Sequence, residues 1–165
     1  MQLDTVDVYL GLGANLGDRR ATLSLARERL AGVLQDIRCS RLYETPPWGV
    51  EQQPRFLNAV CCGRTTLAPP ELLVYLKSLE RELGRVPTAH WGPRVIDVDI
   101  LLFDDLVYAT ADLTIPHPRL HERAFVLVPL LELAPALRHP ALGTPLATYV
   151  AGLSTTDIVC VSDSW

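Results

Sequence analysis

"WGPRVIDVDILLF", residues Trp91–Phe103, is the stretch on which the reading of this chain turns. Val, Ile, Leu and Phe fill it from Val95 onward, and a Gly-Pro turn stands just upstream, so it reads as a buried strand. Yet Asp97 and Asp99 lie inside the apolar run, with Arg94 just before it. Side chains two apart in a strand point to the same side. Asp97 and Asp99 therefore share a face with Val95, Leu101 and Phe103, and Ile96, Val98, Ile100 and Leu102 take the other. The two aspartates stand about 6.6 Å apart along the strand, at ~3.3 Å per residue. Like charges that close repel, and burying them unpaired is costly. A solvated sheet face relieves this, as does pairing with Arg94 and Arg123. A hard divalent cation bridging the carboxylates does so too. Oxygen ligands without His or Cys suit Mg²⁺ over Zn²⁺.

Working outward, Arg85, His90, Arg94, His117, Arg119 and Arg123 crowd the loops next to this strand in sequence. Carboxylates able to hold Mg²⁺, beside arginines and histidines on loops, are what polyphosphate chemistry requires. "ETPPWG" and "FLN" (44–58) bring Trp48, Phe56 and Asn58 near one another. Aromatics can stack on a flat heterocycle, and an Asn amide can read an amide edge; a core role for the rings and a capping role for Asn58 fit the local pattern equally well. "GLGANLGDR" (11–19) lacks the lysine and glycine spacing of a phosphate loop and reads as a tight strand-to-helix turn. "IPHPRLHERAF" (115–125) holds two His and two Arg, a density that favours an anion site in an acidic chain.

The rest of the pattern sets the fold. "TVDVYLGLG" (5–13) alternates as a half-buried strand, and Leu23, Ala26, Leu30 and Val33 recur at helical spacing over 19–35. Strands follow at 37–45 and 56–66, separated by the Pro-, Gly- and Gln-rich loop 46–54. A second helix over 68–84 opens on prolines, carries Glu71 in its first turn and stops at Gly84. Loop 85–94 leads into the strand at 95–103, then come a short strand near 106–108, a loop, and a helix over 122–134. The order β-α-β-β-α-β predicts an α+β, ferredoxin-like antiparallel sheet with helices on one face and a C-terminal extension. One domain over 1–165 is expected, its core at about 5–137 and its weakly patterned extension at about 138–165.

The composition limits the alternatives. Hydrophobic residues make up 48% and charged residues 21% of 165, so a packed core is expected. A net charge of −4 argues against nucleic-acid binding through a general basic field. Residues 1–15 lack the basic start and apolar centre of a secretory signal, and no apolar run reaches a membrane span, so a cytoplasmic protein without a membrane partner is expected. Cys39, Cys61, Cys62 and Cys160 form no C-x-x-C pair, and adjacent Cys61 and Cys62 point to opposite strand faces; four ordinary thiols are expected.

Taken together, "GLGANLGDR", "YETPPWG", "FLNAV", "WGPRVIDVDILLF" and "IPHPRLHERAFVLVPLLELAP" resemble, in order and spacing, the 6-hydroxymethyl-7,8-dihydropterin pyrophosphokinase family of folate synthesis. The resemblance covers about residues 5–137 and rests chiefly on W-G-P-R-x-x-D-x-D with I-P-H-P-R-x-x-x-R-x-F. It implies transfer of pyrophosphate from ATP to the pterin hydroxymethyl group, with AMP released. It implies that Asp97 and Asp99 hold two Mg²⁺ ions, and that Arg85 and Arg94 act on the phosphates from a flexible loop. Thr45, Pro46, Trp48, Phe56, Asn58 and Phe125 match pterin-pocket positions. Lys77, Glu80, Trp91, Arg94, Ile100, Thr114, His117 and Arg123 match positions around ATP. Lys77 stands where a glutamine can occur and Asp112 where an arginine can, and the loop after Gly84 is a residue shorter than in some relatives. The implied partners are the two small substrates, with a monomer expected. Other functions compatible with the residues are a regulatory nucleotide-binding module, an RNA-binding sheet and a Mg²⁺-dependent phosphohydrolase; the first has no need of the carboxylate pair, and the second lacks its aromatic strand.

Overall fold

The computed structural model describes residues 4–88 and 90–165. The loop 85–94 is therefore described except for Ala89, and residues 1–3 of the expected signal-free start lie outside the described residues.

Strands β1 (Val6–Ala14), β4 (Phe56–Thr65) and β5 (Asp97–Phe103) lie side by side in an antiparallel sheet, with β1 between the other two and β5 at one edge. The far edge of β4 pairs in succession with β2 (Gln35–Cys39) and β3 (Leu42–Thr45). The expected single strand over 37–45 is thus two strands with a kink between them. Ser40 bridges the kink, donating its backbone N–H to the Val60 carbonyl at 2.8 Å and accepting from the Val60 N–H through Oγ at 3.0 Å.

Helices α1 (Arg19–Leu30) and α2 (Pro69–Glu82) cover one face. Asp18 caps α1 by accepting from the Ala21 N–H, and Glu71 reaches back to the Ala68 N–H at the start of α2. Leu23, Ala26 and Leu30 from α1 and Leu72, Leu76 and Leu79 from α2 pack on Leu10, Leu12, Ala59, Val98 and Ile100. Gly84, at φ +99°, ends α2 in a conformation that a side chain disfavours.

The prediction of helices on one face needs correction. A second apolar cluster lies on the opposite face, where α3 (Ala124–Leu133) and α4 (Leu146–Ala151) pack against Val60, Leu101 and Leu102. The weakly patterned tail also contributes β8 (Val159–Ser162), which pairs with β3 and extends the sheet. Strands β6 (Tyr108–Ala109) and β7 (Thr114–Ile115) form a separate two-stranded ribbon.

Two further expectations change. A register shift between Tyr9 and Leu10 sets Tyr9 opposite Leu102 and Leu10 opposite Ile100, leaving Leu101 as the extra residue of a bulge. Asp97 and Asp99 keep their shared face, but beyond the bulge the sides exchange: Leu102 joins the second cluster and Phe103 the first. The four thiols become two. Cys39 and Cys61 lie directly opposite in the β2–β4 ladder, with Cα atoms 4.2 Å apart, and are joined as a disulfide. Cys62 is buried and Cys160 exposed, both free. No helix among the described residues is long and apolar enough to cross a membrane.

Candidate active site

The face of the sheet that carries Asp97 and Asp99 is open between α3 and the loops, because β1 places glycines there. Gly11 and Gly13 alternate into this face and line a cavity of about 610 Å³. A Cβ on Gly13 would stand 2.7 Å from Asn58 Oδ1, so only glycine leaves the Asn58 amide room. Asn58 Nδ2 donates to Thr45 Oγ1 at 2.5 Å across the β3–β4 pair, which fixes both polar groups in a buried position. Phe56, Phe125, Trp48 and Pro46 complete the apolar wall. Its aromatic lining and its few convergent polar groups suit a flat bicyclic ligand.

Asp97 and Asp99 form one end of that cavity and also line a larger, polar trough of about 1310 Å³. The trough shares Arg94 and Arg123 with the first cavity and adds Arg85, His117, Lys77 and Glu80. A third recess of about 680 Å³ opens beyond it, lined by Lys77, Asp99, Ile100, Asp112, Thr114 and His117. Every residue that the family resemblance assigns to metal, pterin or ATP lines at least one of these three cavities, and Asp99 lines all three, whereas Arg119 and His121 of the 115–125 loop line none.

The charges are arranged unequally. Arg85 Nη1 donates to Asp97 Oδ1 at 2.9 Å and to Glu80 Oε2 at 2.7 Å. Burial opposes its charge, but Asp97 and Glu80 outweigh it and hold the guanidinium above its ordinary value. Arg94 Nε approaches Asp97 Oδ2 at 3.7 Å while its guanidinium lies over Phe56. Asp97 thus has two arginines. Asp99 has His117 Nε2 at 3.9 Å, and that imidazole is pulled down to about 4 by burial and by Arg123. His117 is therefore neutral near pH 7, and its Nδ1 accepts from the Arg119 N–H at 3.1 Å, leaving the proton on Nε2. Burial, and then the charge of Asp97, push the Asp99 carboxyl well above the usual carboxylate range. The pair is short of positive charge at Asp99, and its donors are hard oxygens on one rigid strand. The residues fit a divalent cation such as Mg²⁺. No group of three or more His, Cys, Asp or Glu stands together as a metal site among the described residues, so other ligands would come from substrate oxygens and water.

Glu80 is 3% exposed and fully engaged. Besides Arg85 it accepts the Val98 N–H through Oε1 at 3.0 Å, between the two aspartates. Its place is behind the site, holding β5 and Arg85 together.

The sequence reading missed Asn15, Gln53 and the two floor glycines. Asn15 is 2% exposed, and it brackets Arg94: its N–H donates to the Arg94 carbonyl at 3.1 Å and its Oδ1 accepts the Arg94 N–H at 2.8 Å. Its Nδ2 donates to Gln53 Oε1 and the Pro54 carbonyl, and Gln53 Nε2 donates to the Trp91 carbonyl at 2.8 Å. Two amides thereby tie the loop 46–55 to the segment before β5. The amide-rich loop "GVEQQP" was the available signal, but its partners lie 38 residues away.

A rigid pair of carboxylates, a cationic trough and an aromatic slot in one continuous surface define a group-transfer enzyme acting on phosphates. Family comparison gives that class a particular identity. Residues 9–135 match the model of the 7,8-dihydro-6-hydroxymethylpterin-pyrophosphokinase family, and the chain belongs to that family. A 2-amino-4-hydroxy-6-hydroxymethyldihydropteridine pyrophosphokinase of Aquifex aeolicus is 43% identical over 154 residues, covering 93% of this chain and 96% of that protein. One from Methylorubrum extorquens is 47% identical over 131 residues, 78% of this chain and 83% of that protein. The folic acid synthesis protein fol1 of Pneumocystis carinii is 41% identical over 157 residues, which is 94% of this chain but 21% of that protein. A crystal structure of an HPPK-DHPS in complex with substrates superposes with a TM-score of 0.73 at 15% identity, covering 89% of this chain and 43% of that one. At that identity the likeness speaks for the fold.

Proposed function

We propose that the chain catalyses Mg²⁺-dependent transfer of pyrophosphate from ATP to 6-hydroxymethyl-7,8-dihydropterin, giving the pterin diphosphate and AMP, in the folate pathway. The observation that carries this is the meeting of three cavities of different chemistry at Asp99. The aromatic slot takes the pterin, with the Asn58 and Thr45 polar groups reading its amide edge. The recess at Ile100 and Thr114 takes the adenosine, and the trough takes the triphosphate. The pterin hydroxymethyl group then lies at the carboxylate end of the slot, facing the trough.

In this reaction the pterin hydroxyl oxygen gives up its proton to solvent and forms a bond to the β-phosphorus. The bond from that phosphorus to the oxygen shared with the α-phosphate breaks, and the electron pair leaves with AMP. Asp97 and Asp99 would hold Mg²⁺, which, when bound, neutralises phosphate charge and acidifies the hydroxyl. The rigid strand β5 keeps the two carboxylates at a set spacing. Arg94 and Arg85 face the trough, where charge accumulates on the bridging oxygen, and they stabilise it there. Neutral His117 offers an N–H without adding a further charge. Trp91 and Trp48 screen the slot from water, the competing nucleophile.

Phosphorus NMR of the protein with ATP, Mg²⁺ and the pterin tests the proposal. AMP and a pterin diphosphate are expected, each dependent on the pterin. ADP or inorganic phosphate in their place would overturn it. Asp97→Ala should abolish turnover, and Arg94→Ala should lower kcat by about 100-fold.

A further inference from the structure

Two tryptophans from different loops meet above the carboxylates. Trp48 belongs to the loop 46–55 and Trp91 to the segment Trp91–Arg94. Their rings pack edge to face, with centroids 5.0 Å apart and planes at 81°. The backbone of the first loop is pressed against the second: a Cβ on Gly49, whose φ is +91°, would lie 2.6 Å from the Trp91 ring. Neither tryptophan belongs to the sheet, so something outside it must fix their separation.

Arg119 reaches both rings. Its guanidinium carbon is 5.0 Å from the Trp48 centroid and 5.2 Å from that of Trp91, inside the range where a cation is attracted to an indole. Arg119 is anchored at both ends: its backbone N–H donates to His117 Nδ1 at 3.1 Å, and its guanidinium Nη1 donates to Glu122 Oε2 at 3.2 Å. Arg123 packs against Trp48 from the same turn, 4.7 Å from its centroid, but it lines the slot and the trough. Arg119 lines none of the three cavities. Its guanidinium meets the tryptophans from outside.

We infer that Arg119 is a positioning residue that clamps Trp48 to Trp91 and so holds the loop 46–55 and the segment Trp91–Arg94 in the arrangement that binds substrate. The inference rests on the pyrophosphoryl-transfer reading of the site. With the two indoles at 81°, a planar guanidinium can lie over one ring and direct its spread N–H groups at the other, whereas a compact ammonium spans the two less well. Loss of the clamp lowers the population of the competent arrangement, and apparent affinity falls in proportion. Chemistry in the bound complex keeps its rate, because the carboxylates and Arg94 are untouched.

The test uses the full chain in a Trp165→Phe background, where selective excitation of indole reports only Trp48 and Trp91. Arg119→Ala should raise the iodide quenching constant of the ligand-free protein about twofold and the KM for the pterin about tenfold, with the single-turnover rate unchanged within about twofold. Arg119→Lys should recover part of both losses. In a Trp48→Leu background, Arg119→Ala should raise KM by less than about twofold, since the shared contact is already gone. Unchanged quenching in Arg119→Ala overturns the clamp, as does full recovery of KM and quenching by lysine. If the wild-type protein forms no AMP from ATP and the pterin, the reading of the site fails instead, and the quenching result still decides the clamp.

Discussion

Glu80 offers the sharpest test of how the site is built. Its carboxylate is 3% exposed and receives the Val98 N–H at 3.0 Å, Arg85 at 2.7 Å and Lys77 at 3.3 Å. Glu80→Ala leaves the Val98 N–H without an acceptor in a buried place, at a cost of about 1–3 kcal/mol. Arg85 loses one of its two carboxylates but keeps Asp97, and it is 28% exposed, so that loss is about 1 kcal/mol. The Lys77 contact is 44% exposed on the lysine side and adds little. The sum is about 3 kcal/mol, which for a chain of this size lowers Tm by about 6–12 °C. Glu80→Gln keeps an oxygen for Val98 but turns an amide N–H toward Arg85, so its cost is about half as large. Thermal unfolding by circular dichroism, at one pH and ionic strength, compares the three proteins. A Tm for Glu80→Ala within about 2 °C of wild type would refute the reasoning. So would a Glu80→Gln protein as unstable as the alanine variant, because the backbone acceptor would then not be what matters.

Three other outcomes follow from the same geometry. Asp99→Asn should remove turnover, yet in the presence of a chelator its Tm should equal or exceed wild type by about 1–2 °C, since a like charge beside Asp97 is gone; a large loss of stability would contradict this. Gly13→Ala, whose Cβ must displace the Asn58 amide from 2.7 Å, should raise the KM for the pterin about tenfold and leave the KM for ATP unchanged, as steady-state kinetics with each substrate varied would show. Stability should also depend on pH through Tyr43 and Glu132. The Tyr43 hydroxyl is pushed up to about 12 by burial and by its bond to Glu132, so its contribution is complete below pH 10 and lost between about 10 and 12. Burial opposes the charge of Glu132, but the bonds from Tyr43 and Arg41 hold its carboxyl below the ordinary value, so that contribution is present at neutral pH and lost in acid. Urea unfolding across pH should show both limbs, and Tyr43→Phe should flatten the alkaline one.

Much of the sheet was legible because buried strands and helices leave periodic traces. Val8, Leu10 and Leu12 alternate, Leu72, Leu76 and Leu79 recur at helical spacing, and all of them are core. The tail was not legible for the converse reason. β8 is an edge strand whose Val159 and Val161 are about half exposed, at 50% and 49%, so it buries too little to leave a pattern. The bulge at Leu101 was invisible because one apolar residue replaces another there, and only the partner strand reveals the extra residue. The Cys39–Cys61 pairing depends on the β2–β4 register, which spacing along the chain does not contain.

The site divides along a similar line. Asp97 and Asp99 could be read from the sequence because each breaks the pattern around it: a charge in an apolar strand demands a partner, and the demand is local. Asn15 breaks nothing. A polar amide after a strand is what any tight turn contains, and its four bonds to Gln53, Pro54 and Arg94 exist only after folding has brought three separate segments together. The same holds for Gly13, whose missing Cβ matters only because Asn58 lies directly opposite it in the β1–β4 register. Groups that carry the reaction's charge announce themselves by their cost in isolation. Groups that aim them cost nothing until the aimed residue is in place, so their role is written in the contacts, and substitutions at Asn15 or Gly13 test the architecture of the site where substitutions at the aspartates test its chemistry.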